Sequence, residues 1–309
     1  MRDLLNELVA KGSQENTKCY GNMIRKAVVP AAGLGTRLLT ATKEQPKEML
    51  PIFSADDGGL LCLKPMVQQI FEQLFDFGIR EFYFVVGRGK RAIQDHFTPD
   101  RPFVQRLSAQ AKNRQVQQLE SFYKRVDDST IVWVNQPDPK GFGDAVLHAE
   151  RLVDGKHFLV HAGDTYIISR RETIAARLTQ AQAKGHAAAT LTLKNVKDPR
   201  QYGVANVSKA DKETLEVKKV VEKPSKPTSK LAIMPVYIFS PIIFDALRMT
   251  PREKGGELQL TDSIQKLIET GHKVQAIKLR PNDVRLDIGT PENYREALEL
   301  SYRNVSAGK

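Results

Sequence analysis

The sequence predicts an α/β protein with a mostly parallel sheet flanked by helices and a β-rich region inserted in the second half. Three observations point there. A short apolar run, Ala27-Val28-Val29, feeds directly into the Gly-rich turn Pro30-Ala31-Ala32-Gly33-Leu34-Gly35. Further apolar runs of strand length alternate with segments whose apolar residues recur at helical spacing. From about residue 194 the helical spacing gives way to closely spaced extended segments. Strand, helix and strand at this rhythm make a Rossmann-like layered sheet, in which ligands bind beyond the carboxyl ends of the strands.

Taken in order, Leu4, Leu5, Leu8 and Val9 predict an amphipathic helix within residues 3–18, so that 1–23 form a helical extension to a single domain over 24–305. After the strand at 27–29 the chain is expected to be in loop for some 20 residues beyond the Gly-rich turn. Val67, Ile70, Phe71 and Leu74 share one face of a helix at 64–77, and Phe82–Val86 is a buried strand. Residues 98–129, polar and rich in Gln and Arg, predict a helical insertion over the sheet. Strands follow at 131–134, 158–160 and 189–193, with helices near 143–152 and 170–184 between them. The β-rich part covers 194–240, with extended segments at 203–222 and 232–239. A helix at 259–270, a strand at 274–279 and a helix at 292–303 close the chain. No internal repeat is visible, so no β-helix module is expected.

Composition narrows the function. No apolar run nears the roughly 20 residues of a membrane-spanning helix, and acids interrupt the first apolar stretch, unlike a signal peptide. Cys19 and Cys62 match no metal-ligand spacing. A cytoplasmic protein with free thiols and no membrane partner is the expectation. The net charge is +11, yet even the richest stretch, 194–230, mixes ten Lys or Arg with five acids. That pattern reads as solvated surface rather than a nucleic-acid footprint, while small polyanions remain natural ligands.

The chemistry concentrates after the first strand. In Ala31-Ala32-Gly33-Leu34-Gly35-Thr36-Arg37 small residues let the backbone approach a nucleotide, successive amides can cradle phosphates, and Arg37 adds a fixed cation. The third glycine of a dinucleotide fingerprint is replaced by Leu38, and no acid ends a second strand, which argues against a dehydrogenase. A P-loop's Gly-Lys-Ser/Thr is also missing. Lys43 and Lys47 follow in a Pro-punctuated loop; Lys43 alone reads as solvated, whereas Lys47 beside Arg37 reads as a phosphate ligand. Asp164, beside Gly163 at the end of a buried strand, is well placed to hold Mg²⁺ against phosphate oxygens.

PAAGLGTR followed by TK and PKEMLP resembles the bacterial and archaeal UTP–glucose-1-phosphate uridylyltransferases, within the wider sugar nucleotidyltransferases. The resemblance runs from about residue 24 to 302. It implies direct in-line transfer of a nucleotidyl group to a sugar 1-phosphate, with UTP and glucose 1-phosphate as substrates and Mg²⁺ as cofactor. Arg37 and Lys47 would hold the triphosphate, amid Ala31, Ala32, Gly33, Gly35 and Thr36. Gln136 and Gly141 resemble the base-reading segment, although the family usually has His where Asp144 stands. Gly203, Glu222 and Lys223 resemble the sugar pocket, with Lys223 on the sugar phosphate. Asp287, in the string Leu286-Asp287-Ile288-Gly289-Thr290-Pro291, resembles a second metal carboxylate, and the 194–240 part becomes the sugar-binding region. A homo-oligomer, dimer or tetramer, is implied as well. Two alternatives stay open: a thymidylyltransferase using dTTP, and a non-catalytic nucleotide-binding regulatory subunit of the same fold.

Overall fold

The structure is a computed structural model that describes residues 24–306 except 212 and 254. The expected helix at 3–18 lies outside the described residues. In chain order the strands are β1 (Lys26–Pro30), β2 (Pro51–Ala55), β3 (Leu61–Pro65), β4 (Glu81–Val86), β5 (Thr130–Asn135), β6 (Phe158–His161) and β7 (Thr165–Ile168). They continue as β8 (Ala189–Asn195), β9 (Val204–Lys209), β10 (Thr214–Val221), β11 (Leu231–Phe239), β12 (Val274–Lys278) and β13 (Val284–Asp287).

Nine of these form one sheet in the order β5-β4-β1-β6-β11-β8-β12-β10-β9. Its first four strands are mutually parallel, as are β8 and β12, while β11 and β10 run against their neighbours. The β-rich part therefore extends the main sheet. The strands read as continuous apolar runs because both faces are covered. Successive β1 side chains alternate sides: Ala27 and Val29 pack with Phe71, Phe82 and Phe84 on one face, and Val28 packs with Val85, Phe158 and Val160 on the other. Each buried Val or Phe among these contributes about 1.5–3 kcal/mol. Lys26 is tolerated in this strand because its ammonium donates to Leu152 O at 2.9 Å and Val153 O at 3.1 Å.

The insertion is two helices, Arg101–Ala109 and Asn113–Asp127. The first starts where the Asp100 carboxylate accepts from Phe103 N at 2.9 Å. Buried Val104, Phe122, Tyr123 and Val126 pin the pair to the same core face as Phe71 and Phe97.

Several expectations are corrected. The stretch expected as loop after the Gly-rich turn contains the antiparallel hairpin β2–β3. Its Ile52 is buried but Leu61 and Leu63 stay exposed, so the alternation lacks a clean apolar face. The helix expected near 143–152 is two short ones, Phe142–Leu147 and Glu150–Val153. The helix expected from 170 begins at Ile174, where Thr173 caps it by accepting from Ala176 N at 3.3 Å. Unexpected helices lie at Arg91–His96 and Ile243–Met249, and β7 and β13 form a separate two-stranded sheet.

Candidate active site

The turn after β1 begins with Ala31 N donating to Val85 O at 2.8 Å. Ala31 and Ala32 are buried, and Gly33, Thr36 and Arg37 are exposed at its lip. Gly35 takes the left-handed conformation, φ 66°, that begins the short 3₁₀ turn Thr36–Leu38. Buried Thr42 ties the turn down, donating to Leu38 O and Gly35 O at 2.9 and 3.0 Å. A Cβ on Gly33 would meet only the Lys47 tail, at 3.7 Å, so the loop's backbone faces open space.

Lys47 lies across this loop and donates to the Asp164 carboxylate. Burial works against the charged form of each, but their pairing outweighs it: the lysine is held above its usual value and the aspartate below. Beneath them Lys90 donates to Glu48 at 2.9 Å, with both side chains nearly sealed from water. Burial raises the Glu48 carboxyl, against the pull of Lys90 and Lys47. Gly163 packs closely here: its amide donates to Pro30 O at 3.0 Å, and a Cβ would sit a tight 3.3 Å from both Glu48 Cγ and Pro30 O.

Asp287 reaches Asp164 by a route the sequence did not suggest. It does not end a main-sheet strand; it ends β13, which pairs antiparallel with β7 so that Asp287 faces Thr165. Ile288 N then donates to Asp164 O at 3.2 Å. The Asp287 carboxylate accepts from Gly289 N at 2.7 Å and Asn293 Nδ2 at 3.2 Å, and forms an ion pair with Arg285. A Cβ on Gly289 would lie 3.4 Å from Arg37 Nη2, which places that guanidinium beside Asp287. Arg37, Lys47, Asp164 and Asp287 thus converge.

The sugar-pocket candidates also meet. A Cβ on Gly203 would lie 3.1 Å from Glu222 Oε2 and 2.6 Å from Thr261 Oγ1. Lys223, at φ 37°, extends its mostly exposed side chain so that Nζ lies 3.1 Å from Glu222 Oε1. Asp262 adjoins them, its carboxyl raised by burial and by Glu222 and Glu253.

Gln136 lies near the Gly-rich turn, since a Cβ on Gly87 would sit 3.3 Å from Ala32 O and 3.5 Å from Gln136 O. Gln136 is 2% exposed, and its Nε2 donates to Asp144 Oδ2 at 2.7 Å. Gly141, at φ 97°, leaves no room for a side chain because Leu258 O and N would lie 2.6 and 2.8 Å from its Cβ. That close approach is to the protein's own backbone. Lys43 is exposed and, among the described residues, pairs only with Glu44, at 3.6 Å.

Three contributors went unread in the sequence. Arg285 and Asp287 share a face of β13 at i, i+2 spacing, which left a faint signal. Lys90 and Arg252 left none, since only the tertiary fold carries them to Glu48 and Asp144.

Asp164 and Asp287 offer a hard, two-carboxylate donor set, each balanced by a cation. Among the described residues no group of three or more His, Cys, Asp or Glu could hold a metal. Such a pair fits a divalent ion like Mg²⁺, which takes its remaining ligands from phosphate and water rather than an all-protein cage. No described helix is long and apolar enough to cross a membrane.

The chain is similar to known nucleotidyl transferases. The model of the family described as nucleotidyl transferase matches residues 26–303. The chain is 35% identical to a UTP–glucose-1-phosphate uridylyltransferase of Staphylococcus epidermidis, over 86% of this chain and 88% of that one. It is 35% identical to one of Bacillus subtilis, over 86% and 85%. A solved UDP-glucose pyrophosphorylase in complex with UDP-glucose superimposes with TM-score 0.78 and 30% identity, covering 91% of this chain and 100% of that one.

Proposed function

Because the chain belongs to the nucleotidyl transferase family, we propose that its site joins UTP to glucose 1-phosphate, giving UDP-glucose and pyrophosphate. The observation that carries this reading is the meeting of two cations, Arg37 and Lys47, with two carboxylates, Asp164 and Asp287, at the mouth of the Gly-rich turn.

A phosphate oxygen of the sugar 1-phosphate attacks the α-phosphorus of UTP. The bond to the bridging oxygen breaks, and pyrophosphate leaves with that electron pair. Both reactants are anions, so positioning and charge neutralisation supply most of the catalysis. Arg37 and Lys47 hold the triphosphate and the departing pyrophosphate. Backbone amides of Gly33, Gly35 and Thr36 face the phosphates, with buried Ala31 and Ala32 flooring the turn. Lys223 exchanges its pairing with Glu222 for the sugar phosphate and aims the nucleophile. Glu222 then accepts from sugar hydroxyls beside Gly203, and Gln136 and Gly141 line the base wall. Asp164 and Asp287 would hold Mg²⁺, which when bound screens the two anions from each other.

UTP is favoured over dTTP because the relatives at 35% identity are named for UTP. An enzyme is favoured over a regulatory subunit because both cations and both carboxylates are kept. We infer Mg²⁺ dependence, a cytoplasmic location and a dimer or tetramer as the accompanying expectations, the last tested by light scattering. The central experiment measures pyrophosphate release with Mg²⁺ over a grid of nucleoside triphosphates and sugar 1-phosphates. UTP with glucose 1-phosphate should lead. Preference for dTTP would move the chain to the thymidylyltransferases, and no turnover with any pair would overturn the enzyme reading.

A further inference from the structure

We propose that Asp144 and Arg252 fix which end of the Gln136 amide meets the nucleotide base. They thereby select a base with a ring N–H, uracil or thymine, over cytosine. The inference rests on the nucleotide reading above and adds two positioning residues to it.

The Gln136 nitrogen has two partners, Asp144 Oδ2 at 2.7 Å and Gly141 O at 3.3 Å. A carboxylate and a backbone carbonyl can only accept, so both require the NH₂ end. Turning the amide over would set its oxygen against two acceptors in a place almost closed to water. The carbonyl end, Oε1, accepts from no described residue. It is the end left for a ligand, and it can only accept. Uracil and thymine present N3–H to such an acceptor, whereas N3 of cytosine is itself an acceptor and is repelled.

Asp144 can impose this because it stays ionised. Burial opposes the charge, but the Gln136 amide and the Arg252 guanidinium outweigh it and hold the carboxyl below its ordinary value. Arg252 donates to Asp144 Oδ1 at 2.7 Å, and His148 Nε2 lies 3.4 Å from Oδ2. Arg252 also donates to Gly256 O at 3.1 Å, in the segment that straps the base wall. There Leu258 N donates to Lys140 O at 2.8 Å, and Gly143 N to Leu258 O at 2.9 Å. The latch is thus anchored to backbone at both ends. A site with one fixed acceptor discriminates through the polar group the wrong ligand leaves unmatched.

The test compares kcat/KM for UTP and CTP, with glucose 1-phosphate, in the wild type, Asp144→Asn and Arg252→Met. An asparagine can donate as well as accept, so it frees Gln136 to turn. The UTP-to-CTP ratio should fall at least about tenfold in Asp144→Asn, mostly through the KM for UTP. It should fall less, in the same direction, in Arg252→Met. A merely structural role would lower both nucleotides together, and an unchanged ratio in folded Asp144→Asn would overturn the proposal. Should that variant fail to fold, Arg252→Met, altered at a half-exposed side chain, decides by the same criterion. Calorimetric affinities for UDP and CDP separate the two readings. A wild type that turns over nothing yet prefers UDP, with the preference lost in the variants, sinks the enzyme reading and keeps this one.

Discussion

Lys90→Met leaves Glu48 without its principal cation in a place where neither side chain meets much solvent: they are 8% and 2% exposed, with Nζ and Oε2 2.9 Å apart. Removing one partner of such a pair costs about 3–5 kcal/mol, because the remaining charge is neither solvated nor paired. Glu48 can escape part of that cost by taking a proton. Burial already lifts its carboxyl above the ordinary value, and losing Lys90 lifts it further. A folded-state pKa above the unfolded one gives stability that is full below the unfolded value and is lost as pH rises through the folded value. The variant's deficit should therefore grow with pH between those limits, by up to about 1.4 kcal/mol per unit. Glu48→Met combined with Lys90→Met removes both polar groups and should recover most of the loss. Urea unfolding of the full chain at pH 5.5 and 7.5 measures Lys90→Met, Glu48→Met and the double variant. A Lys90→Met cost below about 1 kcal/mol at both pH values, or a double variant as costly as the two singles summed, would refute the reasoning.

Further outcomes follow from the same geometry. Arg37→Ala should lower kcat/KM for UTP by about a hundredfold, the scale of losing one preorganised charge partner. Lys43→Ala should change it less than about threefold, since Lys43 faces water; equal effects would refute the division of roles. Asp164→Asn and Asp287→Asn should each weaken the Mg²⁺ response of pyrophosphate release, and the double variant should lose far less than the product of the singles; simple multiplication would separate the two carboxylates. Burial pushes the His161 and His96 imidazoles down to about 4 from an ordinary 6.5. The unfolded chain then binds protons first, so stability present above 6.5 is lost as pH falls toward 4, by up to about 1.4 kcal/mol per unit for each histidine. Urea unfolding at pH 6.5 and 5.0 should register the drop, and it should shrink in His161→Gln.

Continuous apolar runs announced most of the main sheet, because a strand covered on both faces has little choice of residue. The elements that escaped notice are short or half-covered. Thr165–Ile168 and Val284–Asp287 are four residues each, too brief for a period to show, yet their pairing brings Asp287 to Asp164. The hairpin Pro51–Pro65 leaves Leu61 and Leu63 in water. At the site, Gly-rich and charged strings drew the eye to Arg37, Lys47 and Asp164, where one local segment carries the chemistry. Asp144 with Arg252 and Glu48 with Lys90 are pairings between distant segments of charged residues that look like surface until the fold seats them.

The placement of β11 has a consequence during synthesis. It lies between β6 and β8 in the sheet but follows both in the chain. Once His161 has emerged from the ribosome, the four parallel strands can assemble, with wholly buried β6 as their bare edge. Roughly 80 more residues must be made before Phe239 covers it, about 4–16 s at elongation rates of about 5–20 residues per second. For that interval an apolar strand with unpaired amides is open to the wrong neighbour. A chain cut between His161 and Leu231 would keep that edge bare for good, and should aggregate rather than survive as a nucleotide-binding fragment.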